Sequence, residues 1–499
     1  MDMFGGLTKT SSRIAIAAAF GLTLGGYAMS TPAKAADLGG DCCADLEERV
    51  AELEATTVRK GNKKVSLTIS GWVTKSANWW FDGEESNMYV GDKGTTLSSH
   101  FQLSGSATIA PGWSGGYTIS VEAPGVSYGF LANQINDDTE GGVIASVTGN
   151  ANLNALLSYM WVKSDKYGTL NWGLLSQATD NVALLPDLSG TIIESNAVMF
   201  EGSAFGLRAN GGVGSALGIL PAVWGTFLFC NTSGLGIGAD CNGVPYNAVR
   251  YDSPTFAGFS LSTSYGEDDI YDIALKYAND FGNFKVSAAY GYTHTTDERY
   301  IFGGGGLAGF GYDTDLHQVG ASALHVPSGL FIYGLYQYED ANFNPAFLGN
   351  GLAGAGDQTD VWYLKGGIKR TWNPLGATVL FGEYAEYKDQ FGGIAGTNVC
   401  AVGGAFNGGG VFIPGAFTGV APVCLAAGNV GDFIAVTDSE VTRYGLGVVQ
   451  EIDSAAMHLY ARWQHLELDV DLVNTTDNVR TGQGFEDYDL FQVGGVIFF

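Results

Sequence analysis

The sequence predicts an all-β protein, a 16-stranded antiparallel transmembrane β-barrel preceded by a short N-terminal helix. Three observations predict it. From residue 63 onwards apolar and polar residues alternate with a period of two. Short and long connections also alternate along the chain. Finally, the last thirteen residues, DYDLFQVGGVIFF, form one more apolar strand, with no charge after Asp489.

The composition excludes several other classes of protein. Glycine accounts for 74 of 499 residues, and 46 % of the chain is hydrophobic, which is too apolar for disorder. Asp and Glu number 51 against 24 Lys and Arg, so the acidic balance argues against a nucleic-acid partner. The sequence indicates no cofactor and no metal site, because its glycine run at 303–309 lacks a strand–turn–helix context and its cysteines lack zinc spacing.

Residues 1–35 are predicted to be a secretory signal peptide. Lys9 and Arg13 precede an apolar run over residues 14–29, and Ala33-Lys34-Ala35 supplies a small-x-small cleavage site. We expect cleavage after Ala35. No later apolar run is long enough for a transmembrane helix, so a membrane-spanning mature chain would have to cross as strands.

Residues 36–62 are predicted to form a short periplasmic helix. Apolar and small residues recur there at three- and four-residue spacing, at Cys43, Leu46, Val50, Leu53 and Thr57. Such a seam fits a short coiled coil around the axis of an assembly or a lone amphipathic helix, and the sequence leaves both open. Cys42 and Cys43 could link subunits at the base of this helix.

The segment 63–499 is predicted to be the barrel, and its strands show one apolar and one polar face. In KKVSLTISGWV, Val65, Leu67, Ile69 and Val73 share a face opposite serines and threonines. The stretches HFQLSGSATIA, YTISVEA, FSLSTSYG and MHLYARWQ repeat the pattern. Alternation of this kind fits a sandwich and a barrel equally well.

The connections distinguish a barrel from a sandwich. Seven are short, namely APGWSG (110–115), SDKYGT (164–169), SPTFAG (253–258), ANDFGN (278–283), VPSG (326–329), NPLG (373–376) and 453–455. Eight longer Gly- and Asp-rich stretches alternate with them, which gives sixteen strands with every long loop at one end, as in a transmembrane barrel. An open edge is costly in hydrocarbon. The last strand is therefore expected to pair with the first near Val65–Val73, with Phe499 in an interfacial aromatic girdle.

Three stretches carry a resemblance to a known family: ADLEERVAELEATTVRKGN followed by VSLTISGWV, VRYDSPTFAGFSLSTSYGEDD (249–269), and the terminal GVIFF. The chain resembles the trimeric general porins of Gram-negative outer membranes, most closely those of alphaproteobacteria. The resemblance implies a homotrimer in outer-membrane lipid, with a water-filled pore in each subunit. It also implies that Phe499 belongs to the signal for barrel insertion, and that the third long loop, at about 179–246, folds inward as a constriction.

Candidate charges for such a constriction fall into two sets. The acids of the third loop are Asp180, Asp187, Glu194 and Glu201. The bases that strand parity places on the polar face are Arg250, Lys365, Lys369, Arg443 and Arg462. Acids facing bases across a lumen would create a transverse field that orients dipolar solutes. The alternative is that each is a solvated lumen charge at no particular depth.

Four cysteines lie in two predicted loops. Cys230 and Cys241 are eleven residues apart in the third loop, and Cys400 and Cys424 share the seventh. Because exported proteins occupy an oxidising compartment, pairing within each loop is the simplest framework. Six cysteines nevertheless permit fifteen connectivities.

The leading functional prediction is an outer-membrane porin that passes small hydrophilic solutes and ions by passive diffusion. Net acidity favours cations weakly. Two alternatives stay open: a structural protein whose N-terminal helix ties the outer membrane to the cell wall, and a solute-selective channel. An enzyme is not predicted, because no set of Ser or Asp with His converges on one rim of the barrel.

Overall fold

The fold was analysed in a computed structural model, which describes residues 64–94, 96–123, 132, 134, 153–198, 201–203, 205–208, 224–228, 230, 238–296, 312–343, 358–390, 434–474, 479–482 and 484–499. The predicted signal peptide (1–35), the predicted helix (36–62) with Cys42 and Cys43, and the pair Cys400 and Cys424 lie outside these residues. The helix, the tether to the cell wall and that second cysteine pair therefore stay predictions.

Eighteen strands make up the described part of the chain. They are β1 (Thr68–Phe81), β2 (Ser86–Gly91), β3 (His100–Ala110), β4 (Trp113–Glu122), β5 (Asn154–Ser164), β6 (Gly168–Leu175), β7 (Tyr246–Asp252), β8 (Phe259–Gly266), β9 (Tyr271–Asp280), β10 (Phe284–Thr295), β11 (Tyr312–His325), β12 (Leu330–Phe343), β13 (Gln358–Asn373), β14 (Gly376–Lys388), β15 (Ile434–Ile452), β16 (Met457–Asn474), β17 (Val479–Gly482) and β18 (Tyr488–Phe498). Three short 3-10 helices accompany them, at Trp224–Phe227, Glu267–Asp269 and Asp453–Ala455. Within the described ranges, no helix has both the length and the hydropathy to cross a membrane.

All eighteen strands belong to one antiparallel sheet that closes on itself. β1 pairs with β3 on one side and with β18 on the other, where Trp72 lies opposite Phe498. Two backbone hydrogen bonds complete the seam, from Gly71 N to Phe499 O (3.0 Å) and from Phe499 N to Gly71 O (3.1 Å). The predicted closure by the last strand is confirmed.

Sixteen of these strands form the wall, as predicted. The other two, β2 and β17, are short and lie in the connections β1–β3 and β16–β18, where they pair with β1 and β16. The seven short connections all lie at one end of the wall, which we call the short-turn end. The opposite end carries the other eight connections of the wall. Seven of them are long, but the connection between β8 and β9, residues 267–270, has only four residues, so the prediction of a long loop there is wrong.

The wall has an inverted distribution of polarity. On β1, the side chain of Val73 is 45 % exposed, whereas that of Thr74 is fully buried. On β16, Leu459 is exposed and Arg462 is buried, so the predicted faces of both strands are confirmed. Soluble proteins bury apolar residues and expose polar ones. This barrel turns its apolar side chains outward and its polar side chains towards the lumen.

Candidate functional site

The connection between β6 and β7, called here the β6–β7 loop, runs from residue 176 to 245 and corresponds to the third long loop of the sequence analysis. Most of its described residues are buried, and Ala178, Val182, Ala197, Phe205 and Leu228 have no exposed surface. Their partners are side chains on the inner face of the wall. The contacts follow the loop from β9 around the barrel to β1.

The first part of the loop is seated on β9 to β12. Thr179 donates its backbone N–H to Asp272 Oδ2 (2.8 Å), and Tyr333 donates its hydroxyl to Ala183 O (2.7 Å). A glycine on β11 makes this approach possible. A Cβ built on Gly320 would lie 2.0 Å from Ala183 O, so any side chain there would collide with the loop backbone.

The loop then reaches almost to the short-turn end. Lys369, four residues before the end of β13, donates to Ser189 O (3.1 Å) and pairs with Glu451 at 2.5 Å. His458, the second residue of β16, contacts Glu194 through Nδ1 at 2.6 Å. The chain turns at Gly190 with φ of +78°, a conformation that favours glycine.

Three bases predicted from parity contact the following stretch of loop. Lys365 donates to Asp187 Oδ2 (3.0 Å) and Ser195 O (2.9 Å). Arg443 donates to Asn196 O (2.6 Å) and, with longer geometry, to Ala197 O (3.4 Å). Arg462 donates to Glu194 O at 2.5 Å. These bases therefore bind the loop directly.

The acids of this stretch have partners of their own. Burial alone would raise the pKa of Glu194, but the charge and hydrogen bond of His458 hold the pKa below its usual value. Burial also opposes ionisation of Glu201. The Lys93 ammonium, 2.7 Å away, and the Arg462 guanidinium nevertheless lower the pKa of Glu201 to about 2. Both carboxylates are therefore charged and paired at neutral pH.

Sequence reasoning did not select His458 or Lys93 as site residues. His458 alternates with apolar neighbours in MHLYARWQ, so parity alone placed it on the polar face and would have allowed its selection. Lys93 lies in the connection between β2 and β3, outside any period-two stretch. Its contact with Glu201 spans 108 residues, and no local pattern indicates it.

Asp180 and Arg250 lie elsewhere, beside a cavity of about 90 Å³. Its lining comes from β1, the connection between β2 and β3, β3 to β7 and the loop, and includes Trp72, His100, Asn171, Asp180, Arg250 and Asp252. β13 is half-way around the sixteen-stranded wall from β5, whereas the edge of the cavity at Trp72 on β1 is two strands from β16.

Arg250 is fully engaged at this cavity. Its guanidinium donates to Asp252 Oδ1 from Nε (2.9 Å) and Nη2 (2.7 Å), and from Nη1 to the carbonyls of Ser176 (3.1 Å) and Gln177 (3.2 Å). One carboxylate, that of Asp252, therefore balances its charge. Asp180 contributes a further negative charge to the lining.

The environment of Asp180 shifts the pKa of its carboxyl upward. Burial raises its pKa to about 6, although Ser176 and the positive charges of Arg250 and Lys276 act in the opposite direction. A second carboxyl, Asp240, lies at the other end of the loop, and burial and the proximity of Asp180 raise its pKa well above the usual range. Asn181 bridges the two, with its side chain on Asp180 (2.6 Å) and its backbone N–H on Asp240 (2.9 Å).

A disulfide lies in the C-terminal part of the β6–β7 loop. Cys230 and Cys241 are bonded to each other, as the local pairing predicted from the sequence requires. Gln337 on β12 donates to Cys241 Sγ (2.9 Å), and Leu316 on β11 packs against the disulfide. The bond therefore holds Cys230 and Cys241 against the inner wall.

Replacing both cysteines, Cys230→Ser with Cys241→Ser, is expected to release this part of the loop while the barrel still closes. Loss of a short disulfide loop removes about 3 kcal/mol of stabilisation in the chain-entropy account. Limited proteolysis of the folded barrel would measure the effect. We expect faster cleavage within residues 224–245 in the double variant and in the parent under reductant. Equal rates in oxidised parent and variant would contradict this role for the bond.

A family model described as "Gram-negative porin" matches residues 17–472. The chain belongs to this family. The porin is thus a channel protein and not an enzyme, and the resemblance inferred from the sequence is confirmed at the level of the family. No curated protein matches the chain.

Solved structures of other outer-membrane proteins are among those similar to this chain. The anion-selective porin from Comamonas acidovorans is 17 % identical, with 87 % of this chain and 100 % of that chain covered and a TM-score of 0.49. Outer-membrane expressed OmpT of Vibrio cholerae is 11 % identical, with 88 % and 99 % covered and a TM-score of 0.45. OmpF of Salmonella typhi, in complex with daunomycin, is 12 % identical, with 88 % and 99 % covered and a TM-score of 0.44.

Proposed function

We propose that this porin forms a passive diffusion channel for small hydrophilic solutes and ions across the outer membrane of a Gram-negative bacterium. One observation carries the proposal: a closed wall whose exposed face is apolar and whose buried face is polar. An apolar exterior is stable in hydrocarbon, and closure leaves no unpaired strand edge there. A polar interior provides a path for water and solutes.

The β6–β7 loop is proposed to narrow this path. Contacts between the loop and the inner faces of the strands from β9 onwards support the proposal. They begin with the bond from Thr179 to Asp272 on β9 and include the bond from Arg443 on β15 to Asn196. A loop held against one side of the lumen leaves the other side for transport. The cavity beside Asp180 and Arg250 is the proposed passage.

Single-channel recording in planar lipid bilayers tests the function directly. We expect insertion of the purified protein to produce current in three equal steps, because we propose a homotrimer with one pore in each subunit. Heat-denatured protein serves as the control. Stable insertion without current would contradict the channel and favour a structural role in the membrane.

The channel is expected to prefer cations at neutral pH and to lose this preference in mild acid. Asp180 is charged above its pKa of about 6 and neutral below it, so the negative charge at the cavity falls as the pH falls. A unit charge about 4 Å from an ion in water contributes ~1 kcal/mol, which corresponds to up to about fivefold in relative permeability. Reversal potentials in a salt gradient, between pH 8 and pH 5, measure the change.

Two substitutions control this measurement. Asp180→Asn should show, at every pH from 5 to 8, the low cation preference that the parent shows in acid. Asp180→Glu should retain a change in cation preference with pH. A step of unchanged size in Asp180→Asn would contradict the assignment and move the titrating group elsewhere in the lumen.

A further inference from the structure

Four bases on the inner wall contact one short stretch of the β6–β7 loop. This set, named here the basic clamp, consists of Lys365, Lys369, Arg443 and Arg462. We propose that the basic clamp positions residues 189–197 by binding main-chain carbonyls, and that its charges do not face the ions in transit. The inference deepens the proposed channel function, on which it rests, by separating the bases that hold the constriction from the groups that select ions.

Each member of the basic clamp donates to at least one carbonyl oxygen. Lys369 binds Ser189 O, Arg462 binds Glu194 O, and Lys365 binds Ser195 O. Arg443 binds Asn196 O and Ala197 O. Five carbonyls within nine residues are thus bound by four cationic side chains from β13, β15 and β16. A second donor strengthens the last position, because the Tyr387 hydroxyl also donates to Ala197 O.

The backbone of this stretch needs such donors. Residues 189–197 belong to no strand of the sheet and are mostly buried, so sheet hydrogen bonds cannot satisfy their carbonyls. A buried carbonyl without a partner is costly, and a charged donor forms the strongest replacement. Side chains of the wall therefore supply the hydrogen-bond donors that the N–H groups of a neighbouring strand would supply in a sheet.

Burial and pairing shield most of the charge of the basic clamp, although the Lys369 side chain is 15 % exposed. Lys365 and Arg443 are fully buried, and the Arg443 guanidinium lies 5.5 Å from the centroid of the Tyr363 ring and 5.8 Å from that of the Tyr387 ring. Carboxylates stand beside three members: Asp187 for Lys365, Glu451 for Lys369 and Glu383 for Arg443. Lys365 and Arg443 thus have no surface that an ion could reach, whereas Lys369 is partly exposed.

The cavity beside Asp180 has a different balance of charge. There the cavity lining includes Asp180, Asp252 and Arg250, and the last two neutralise each other. Ion preference is therefore assigned to this lining, and the basic clamp is assigned to the loop. A transverse field between free bases and loop acids would instead require the bases to stand across an open space from those acids.

A charge-preserving substitution separates the two roles. Arg443→Lys keeps the positive charge but loses the planar fork that serves two carbonyls. The basic clamp predicts frequent closures and excess open-channel noise in planar bilayers, with the cation-to-anion permeability ratio unchanged. If Arg443 instead acts on the ions through its electrostatic field, the reverse is expected. Arg443→Lys would then show no excess noise, and Arg443→Gln would show a higher cation preference. The matched control is Arg370→Lys, at an exposed position of β13.

Thiol labelling gives an independent readout of the loop. Ala197 is fully buried, so Ala197→Cys should resist a membrane-impermeant thiol reagent in the parent and react at least tenfold faster when combined with Arg443→Lys. Protein without the added cysteine supplies the background. Equal labelling rates, together with a quiet Arg443→Lys channel, would overturn the proposal.

Failure of the channel itself would look different, since the parent would then insert without any current. If the Arg443 variants do not fold, as judged by the heat-sensitive mobility of the barrel on gels, Arg462→Lys and Arg462→Gln take their place. Noise and permeability ratio of these variants then distinguish a positioning role from an electrostatic one in the same way, because Arg462 also binds a carbonyl of residues 189–197.

Discussion

Leu275→Lys is expected to prevent stable insertion of the barrel, whereas Phe256→Lys is expected to be tolerated. Leu275 is exposed on the outer face of β9 and pairs with Leu261 of β8. On β8 the exposed aromatic rings of Phe259 and Tyr265 lie on either side of Leu261 along the strand, so this row lies between two aromatic levels. If those levels mark the membrane interfaces, Leu275 faces hydrocarbon between them.

The expected difference between the two variants follows from depth. A lysine on the lipid face near the midplane costs about 2–4 kcal/mol, and the cost falls to about 0–1 kcal/mol near the interface. Phe256 lies in the short connection between β7 and β8 and is 82 % exposed, so its replacement changes an interfacial position. Folding into lipid vesicles, followed by urea titration of the heat-sensitive gel mobility, measures both free energies of unfolding.

Leu275→Ala serves as the control for lost apolar contact without charge. We expect it to fall between the parent and Leu275→Lys. Equal urea midpoints for the lysine variants at 275 and 256 would mean that the outer face of β9 does not meet hydrocarbon. That outcome would contradict the proposed location in the outer membrane, although the closed barrel would remain.

The architecture of the wall could be predicted because its signals are local. Alternation along each strand is visible within about eight residues, and the length of each connection can be read directly from the sequence. The seam followed from a physical requirement, since a sheet in hydrocarbon cannot leave an edge unpaired. Phe499 accordingly pairs with Gly71, inside the predicted segment. The short strands β2 and β17 were missed because they lie in predicted loops and have little alternation of their own.

The path of the β6–β7 loop could not be predicted in the same way. Residues 176–208 have no period, and their partners are far away in sequence: Asp187 and Lys365 are 178 residues apart, and Glu194 and His458 are 264 apart. Parity located Lys365 and Arg443 on the inner face but contained no information on what they would contact there. Depth along the strand, and the carbonyl partners on the loop, depend on packing that only the folded chain defines.

Gly320→Ala is expected to displace the β6–β7 loop and reduce the conductance, while Gly334→Ala should leave both unchanged. The new methyl group at position 320 would lie 2.0 Å from Ala183 O, a backbone atom that cannot rotate away. At position 334, on the outward-facing row of neighbouring β12, the nearest atoms are 3.8 and 3.9 Å from a built Cβ, which is ordinary contact. The two variants therefore add the same group with and without a collision.

The direction of the change in conductance follows from the place of Ala183 in the loop. Its carbonyl accepts the Tyr333 hydroxyl, and Asp180, Asn181 and Leu185, its near neighbours in the chain, line the cavity on the other side. A loop pushed off β11 moves towards that cavity, so the proposed passage narrows and the unitary current falls. Overpacking of this kind costs about 1–3 kcal/mol, which the urea titration would detect as a lower midpoint.

Single-channel recordings of the two glycine variants in the same lipid make the comparison. Gly320→Ala could keep the parental conductance while its urea midpoint falls. That outcome would mean that the loop moves without narrowing the passage, and the cavity beside Asp180 would then not be the path of the ions. Parental behaviour in both measurements would contradict the seat of Ala183 on β11, because the added methyl group would lie 2.0 Å from Ala183 O in that arrangement.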